Sequence, residues 1–112
     1  MAFEQQVVGS VQVVRPFGRL DSGNAPELER ALQALLAAGT SKLLLDLGQL
    51  DFISSAGMRI VLMAGKGVRA QQGRLALSGV HGMVKEIFEV SGFLTLFEVA
   101  ADADAGVKLL EG

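Results

Sequence analysis

Residues 41–70 read SKLLLDLGQLDFISSAGMRIVLMAGKGVRA, and the order of their apolar residues indicates the fold class. Residues 41–47 form a nearly continuous apolar run, which is typical of a strand covered on both faces, so we expect this strand at the centre of a sheet. After Gly48 the chain turns through residues 50–53 into two serines, and a helical pattern then continues to about Gln71. The stretch therefore predicts a strand, a short junction and a helix.

Two strands and a helix are predicted before this stretch. Residues 3–8 and 11–17 are rich in β-branched and apolar residues and flank a glycine–serine pair, which favours an opening β-hairpin. Asn24 is predicted to cap the next helix, with Glu27 reaching back to it as in a capping box. Gly39 is a natural stop for that helix.

The remaining residues continue the alternation of strands and helices. We predict a strand over residues 74–77, a helix over 83–90, a strand over 94–99 and a closing helix over 102–110. Right-handed crossovers place such helices against the faces of a sheet. The sequence thus predicts a single α/β domain over residues 1–112, with a hairpin followed by alternating strands and helices on a mixed sheet.

Composition narrows the classes of function. Half of the 112 residues are apolar, the formal net charge is -2 and no basic tract occurs, so nucleic acid is not an expected partner. The chain has no cysteine and one histidine, His81, so no metal or other cofactor is expected. The amino terminus lacks a signal-peptide pattern, and no apolar run approaches the ~18 residues that span a bilayer, which indicates a cytoplasmic protein without direct membrane contact.

The two serines after residue 53 are the most informative polar residues. They lie where an extended segment meets a helix, and the unpaired N–H groups and positive dipole end of a helix start favour a negative group. A phosphate on Ser55 would be supported there. Alternatively, Ser54 or Ser55 is an N-cap and nothing more. The residues alone leave both interpretations open.

The helix after Ser55 has a second feature, an apolar stripe away from the sheet. Residues predicted to face the sheet recur at helical spacing: Ile60, Val61, Ala64 and Val68. The residues predicted on the opposite side are Met58, Leu62 and Gly65, beside Lys66 and Arg69. This stripe is either a groove for a partner or a surface covered by another part of the domain.

Enzymatic sites are not evident. The glycines around Lys66 lack the spacing of a Walker loop and lie inside a helical pattern. His81 begins a helix and has no cysteine partner or serine–acid pair, so a position in an N-terminal turn is favoured over a catalytic one. We therefore expect a non-enzymatic protein.

Two segments resemble a known family. Residues 53–59, preceded by residues 46–47 and 50–52, are similar to the phosphorylation loop of the STAS family, the domain of sulfate transporters and anti-sigma factor antagonists. Residues 18–21, leading into residues 24–28, resemble the other recurrent segment of that family. The resemblance extends over essentially the whole chain and implies a single STAS domain.

The resemblance also implies site residues. In members that act as anti-anti-sigma factors, the second serine of a Ser-Ser-Ala-Gly tetrapeptide carries the phosphate, which here is Ser55, with Ser54 as the secondary candidate. Ser54 is a departure, since many members have Asp there. Asp21 is expected near the same surface, as a partner contact or as a turn-forming Asx residue. The predicted partner-binding residues are Asp21, Ser54, Met58, Leu62, Lys66 and Arg69.

The implied function is a phosphorylation switch. In the family mechanism the unmodified antagonist binds an anti-sigma factor that is also a serine kinase, which frees the sigma factor. Phosphorylation releases the antagonist, and a metal-dependent serine phosphatase restores it. One alternative is a STAS scaffold or subunit of a lipid-transport or stress-signalling complex without a phosphorylation cycle. A more remote alternative is a small nucleotide-binding protein or enzyme.

Overall fold

A computed structural model describes residues 2–112 of the chain. Its elements follow one another as β1 (Phe3–Val8), β2 (Val11–Pro16), β3 (Gly18–Leu20), α1 (Ala25–Ala37), β4 (Lys42–Asp46), β5 (Leu50–Ile53), α2 (Ser55–Ala70), β6 (Arg74–Ser78), α3 (Gly82–Ser91), a 3₁₀ turn (Phe93–Thr95), β7 (Glu98–Ala100) and α4 (Ala103–Glu111). The predicted α/β domain with an opening hairpin is confirmed.

The main sheet has five strands in the order β1-β2-β4-β6-β7. The hairpin strands β1 and β2 are antiparallel, whereas β2, β4, β6 and β7 pair in parallel, so the sheet is mixed as predicted. Strand β4 lies at its centre, and Leu43, Leu44 and Leu45 are at most 2% exposed. Coverage on both faces explains why this strand reads as a continuous apolar run.

Helices lie on both faces of this sheet. The larger core joins Leu43 and Leu45 of β4 to α1, α2 and α3. The smaller core, on the other face, joins Leu44 to Val107 and Leu110 of α4. Successive side chains of a strand point to opposite faces, so alternate leucines of one strand serve two separate cores.

A second sheet of two parallel strands, β3 and β5, was not predicted. Residues 50–53 were predicted as a turn, and no element was predicted for residues 18–20. The strands are three and four residues long and come from distant parts of the chain, so only the tertiary fold brings them together. Leu20, Leu50 and Ile53 are buried there, and the guanidinium carbon of Arg19 lies 4.3 Å from the centroid of the Phe52 ring. This small sheet supports the start of α2.

The predicted strand over residues 94–99 was wrong in its first half. A 3₁₀ turn occupies Phe93–Thr95, and the strand is limited to Glu98–Ala100. The Phe93 ring packs between Phe88 and Phe97, at centroid distances of 5.2 and 5.7 Å. The apolar residues of this segment therefore cover a helix face instead of extending a strand.

The predicted start of α1 is correct, but its capping box is wrong. Asn24 occupies the N-cap position without a side-chain capping bond. Its Oδ1 instead accepts from the amide of Asp21 at 2.9 Å, and its Nδ2 donates to the carbonyl of Arg19 at 2.8 Å. Asn24 thus fastens the end of β3 to the helix. At the other end, Gly39 adopts a φ of +88°, as expected of a helix stop.

Candidate functional site

The junction between β5 and α2 is fixed by Ser54. Its backbone is extended, with φ −90° and ψ 173°, and its Oγ accepts from the amide of Gly57 at 3.3 Å. Its own amide donates to the carbonyl of Leu20 at 2.8 Å. The N-cap interpretation is therefore confirmed for Ser54, and the helix start is tied to the end of β3.

Ser55 is left outside these interactions. It is the first residue of α2 and is exposed to solvent. Its hydroxyl forms no hydrogen bond with any other group of residues 2–112. The two serines therefore divide two tasks: Ser54 satisfies the helix end, and Ser55 presents a free hydroxyl above it.

The electrostatics of α2 favour an anion at this point. The first turn contains no acidic residue, and the basic residues of the helix are Arg59, Lys66 and Arg69, without an acidic one, although the whole chain carries -2. Arg59 lies four residues after Ser55, one turn along the same face, and its exposed guanidinium is 3.7 Å from Glu29. A phosphate on Ser55 would lie at the positive end of the helix dipole, one turn from the Arg59 cation.

Asp21 lies beside the same junction, because the carbonyl of the preceding Leu20 accepts from the amide of Ser54. Its Oδ1 accepts from the amide of Gly23 at 3.0 Å, so Asp21 is the turn-forming Asx residue that was one of two interpretations. The side chain is half-buried. A partner contact by Asp21 stays a prediction.

The sheet-facing side of α2 was predicted correctly. Ile60, Val61, Ala64 and Val68 are at most 1% exposed. The opposite stripe needs correction, since the second interpretation, cover by another part of the domain, holds for part of it. Gly65 is buried, and a Cβ built there would lie 2.7 Å from a ring carbon of Phe97.

The other members of the stripe differ in exposure. Met58 is half-buried and packs against the main core, so cover by the domain holds in part for this residue too. Leu62 is half-buried, whereas Lys66 and Arg69 are exposed. What is left as an outward surface is a narrower strip: Ser55, the edge of Met58, Leu62, Lys66 and Arg69.

One buried charge near the junction was not predicted. Asp46 ends β4 and is 8% exposed; its Oδ2 accepts from Nε of Arg15 at 2.7 Å, and its Oδ1 accepts from the amide of Gly48 at 3.1 Å. The hydrogen bond from Arg15 to Asp46 raises the pKa of the Arg15 guanidinium above its ordinary value. One indication of this ion pair is present in the sequence, because Asp46 directly follows an apolar run. A carboxylate buried at the end of such a strand requires a partner of opposite charge or hydrogen-bond donors. This ion pair fixes the loop that leads to β5.

His81 is the N-cap residue of α3, with Nε2 3.0 Å from the carbonyl oxygen of Gly48, which confirms its position in an N-terminal turn. Among residues 2–112, no group of three or more His, Asp or Glu side chains is arranged to bind a metal ion. None of the helices in this part of the chain has the length and apolar character needed to cross a membrane.

Comparison with known proteins shows which chains share this arrangement. The family model of the STAS domain matches residues 2–105. A protein of Bordetella bronchiseptica, BtrV, named as a candidate anti-sigma factor antagonist, is 47% identical over 88 residues, which cover 79% of this chain and 76% of that protein.

Solved structures show the same fold at lower identity. The crystal structure of a candidate anti-sigma factor antagonist of Thermotoga maritima superposes with a TM-score of 0.92 at 17% identity, over 98% of this chain and 95% of that one. The Bacillus cell fate determinant SpoIIAA, solved in its phosphorylated form, superposes with a TM-score of 0.76 at 23% identity, over 96% of this chain and 99% of that one.

Proposed function

The chain belongs to the STAS domain family, and from this premise we propose that it is an anti-sigma factor antagonist switched by phosphorylation of Ser55. In the unphosphorylated state it binds an anti-sigma factor serine kinase, so that the sigma factor is released. Phosphorylation of Ser55 by that kinase separates the two proteins. A metal-dependent serine phosphatase removes the phosphate and restores binding. The protein acts in the cytoplasm as a regulator and not as an enzyme.

The observation that carries this proposal is the division of tasks between the two serines. A serine engaged in capping has its oxygen directed at the helix backbone, as Ser54 does. Ser55 is exposed and its hydroxyl is unpartnered within residues 2–112, so a kinase can reach it without opening the helix. SpoIIAA, which shares this fold, has been solved in a phosphorylated form, and this supports a phosphorylated state for the present chain.

The proposed switch is local. A phosphoserine brings about −1.5 to −2 charges to the surface around the α2 start. The charge is tolerated in the free protein because it lies at a helix N-terminus, one helical turn before the basic residue Arg59. In a complex the same group would have to be desolvated against the partner. Moving the bound fraction from 99% to 1% requires a differential of roughly 5.5 kcal/mol, which one buried dianion can largely supply.

The partner surface that we propose surrounds this serine. Asp21 and Ser54 lie on its β3 side, Met58 and Leu62 extend from it along α2, and Lys66 and Arg69 form its far edge. Met58 also packs into the core, so its exposed edge contributes less than Leu62 does. The strip combines an apolar centre with a basic rim and therefore fits a partner with acidic residues around an apolar patch.

The test compares the two serines. After incubation with the cognate kinase and ATP, mass spectrometry should find the phosphate on Ser55. The Ser55→Ala variant should bind the kinase without being released by ATP, whereas Ser54→Ala should still be phosphorylated at residue 55. Phosphate on Ser54 with Ser55 unmodified would refute the site. A folded protein that binds a partner and is never phosphorylated would favour a scaffold or complex subunit instead.

A further inference from the structure

Strand β1 is an open edge of the main sheet. It is the terminal strand in the order β1-β2-β4-β6-β7, and its only partner within residues 2–112 is β2. Residues 4–7 are all exposed, and since neighbouring side chains point to opposite faces, neither face of the strand is covered there. Val7 is 64% exposed.

The hairpin turn determines which backbone groups point outward. Of the two turn residues, Gly9 has a φ of +60° and Ser10 has no positive φ, as in a type II′ turn, which is closed by a hydrogen-bonded pair of Val8 and Val11. The amide of Phe17 donates to the carbonyl of Ala2 at 3.0 Å, at the far end of the same ladder.

Hydrogen-bonded and non-hydrogen-bonded pairs alternate along an antiparallel ladder. The residues whose backbone groups face β2 are therefore Ala2, Glu4, Gln6 and Val8. The residues whose N–H and C=O groups point away from the sheet are Phe3, Gln5 and Val7. No other segment of residues 2–112 hydrogen-bonds to this outward row.

The two edge strands of the sheet differ in how well they are protected against pairing with another strand. Natural proteins protect edge strands by making them short, by charged residues, by proline, by bulges or by a covering element. The opposite edge, β7, is only three residues long, and its one charge, Glu98, is paired with Arg74. Strand β1 has six residues, no proline and no register shift, and its only charge, Glu4, is paired with Arg15 at 3.0 Å. It lacks the usual protection against pairing.

We propose that β1 is a self-association edge, on which β1 of a second copy of this chain pairs in antiparallel orientation about a twofold axis at Gln5. In this register Gln5 faces Gln5 of the second copy, and Phe3 faces its Val7. All outward residues of both strands then form hydrogen-bonded pairs, and each pair exchanges two bonds, about six in all. Moving the axis to Gln6 leaves the outward groups of Phe3 without a partner.

A second copy fits this edge better than an arbitrary extended strand does. The pairing of Phe3 with Val7 places apolar side chains together on one face and covers the exposed Val7. On the other face Glu4 meets Gln6 of the second copy, whose amide can donate to the carboxylate. Because Arg15 neutralises Glu4, the two strands approach without repulsion between like charges.

This dimer is compatible with the phosphorylation switch. Ser55 lies in α2, which packs on a face of the sheet, whereas the pairing uses only its β1 edge. Both copies therefore keep an accessible Ser55, and phosphorylation of monomer and dimer is expected alike. The self-association does not depend on the proposed kinase partner.

The experiment is sedimentation velocity of the whole chain from about 10 μM to 1 mM, with two matched lysine variants. One strand pair is a small interface, so we expect a dissociation constant of roughly 0.1–1 mM. Gln5→Lys places two lysines opposite each other and should weaken the dimer by about twofold to fivefold at low salt. Gln6→Lys places the same charge opposite Glu4 and should leave the dimer as strong or stronger.

Amide hydrogen exchange supplies the second readout. The amides of Phe3, Gln5 and Val7 should gain protection as the concentration rises, while those of Glu4 and Gln6 stay protected throughout by β2. A chain that sediments as a monomer at 1 mM overturns the proposal. So does equal weakening by the two lysines, or a dimer in which the three outward amides stay unprotected.

Discussion

Two helix starts, those of α2 and α4, have the same capping geometry and opposite electrostatics. In each, an extended residue accepts from the amide three positions later: Ser54 from Gly57 at 3.3 Å, and Asp102 from Ala105 at 2.8 Å. The α4 start provides its own negative charge, with Asp102 as the cap and Asp104 in the first turn. The α2 start has a neutral cap and no acid.

The difference indicates what each end is suited to do. The positive end of the α4 dipole is already compensated by carboxylates of the chain, so a further anion there would gain little. The end of α2 is uncompensated, and the exposed Ser55 lies directly on it. Although the chain has a net charge of -2, the start of α2 carries no carboxylate in its cap or first turn. A helix start gains this property through the absence of an acid as much as through the presence of a serine.

The largest expected effect concerns how firmly each start is packed. Gly57 and Ala105 occupy equivalent positions, but a Cβ on Gly57 would lie 2.8 Å from side-chain carbons of Leu20 and Ile53, whereas Ala105 is exposed. Gly57→Val should lower the free energy of unfolding by about 1–3 kcal/mol through overpacking. Ala105→Val should cost less than about 0.7 kcal/mol, the range of helix propensity.

Urea denaturation of both variants measures this difference. Equal losses would mean that the α2 start is no more tightly seated than the α4 start. In that event the small sheet of β3 and β5 would not be the support that fixes the position of Ser55.

The second largest effect is expected on the affinity for the kinase, when an outward leucine of α2 is replaced and compared with one of α4. Leu62 of α2 lies within the proposed partner surface, and Leu109 of α4 is 36% exposed on the other side of the domain. Leu62→Ala should weaken kinase binding by about tenfold, as expected for an anchor near an interface centre. Leu109→Ala should leave binding unchanged.

Isothermal titration calorimetry with the kinase provides the affinities, and thermal denaturation provides the folded fraction. If Leu62→Ala costs the roughly 2–5 kcal/mol of stability typical of a buried leucine, with unchanged binding per folded molecule, Leu62 belongs to the core and not to the partner surface.

A smaller effect follows from removing each cap. Ser54→Ala and Asp102→Ala should each lower the free energy of unfolding by roughly 1 kcal/mol, because one helix N–H group loses its acceptor. The Ser54 variant should still accept phosphate on Ser55. Loss of phosphorylation in a folded Ser54→Ala protein, measured by mass spectrometry, would show that Ser54 takes part in the transfer.

Part of the fold and part of the candidate site could be predicted from the sequence. The central strand at Leu43–Leu45 and the buried face of α2 were predictable, because continuous and periodic apolar residues are local signals. The sheet of β3 and β5 was not, since its pairing joins segments about thirty residues apart through tertiary contacts. The site was predicted as two adjacent serines, but which one caps depends on the extended backbone of Ser54 and on its bond to Leu20.

The predictions for Gly65 and Asn24 were wrong for the same physical reason, a contact from another segment of the chain. Gly65 was placed on an exposed stripe by helical period alone, and it is buried because Phe97 folds over it from a segment predicted as a strand. Asn24 was assigned to a capping box by residue type, and the nearby end of β3 competes successfully for its side chain. In both cases a contact from another segment replaced the local interpretation.

The smallest expected effect tests the electrostatic contrast itself. Ser55→Glu adds a carboxylate to the uncompensated start of α2 and should raise the free energy of unfolding by about 0.3–1 kcal/mol at low ionic strength. Asp104→Asn removes a carboxylate from the compensated start of α4 and should lower it by a similar amount. Both changes should shrink as salt is added, because exposed charges are screened over about 10 Å at 0.1 M. Thermal denaturation of the two variants in low and high salt measures the shifts. If Ser55→Glu destabilises the protein at low salt, the α2 start does not favour an anion, and the proposed phosphoserine would strain the free protein as well as the complex.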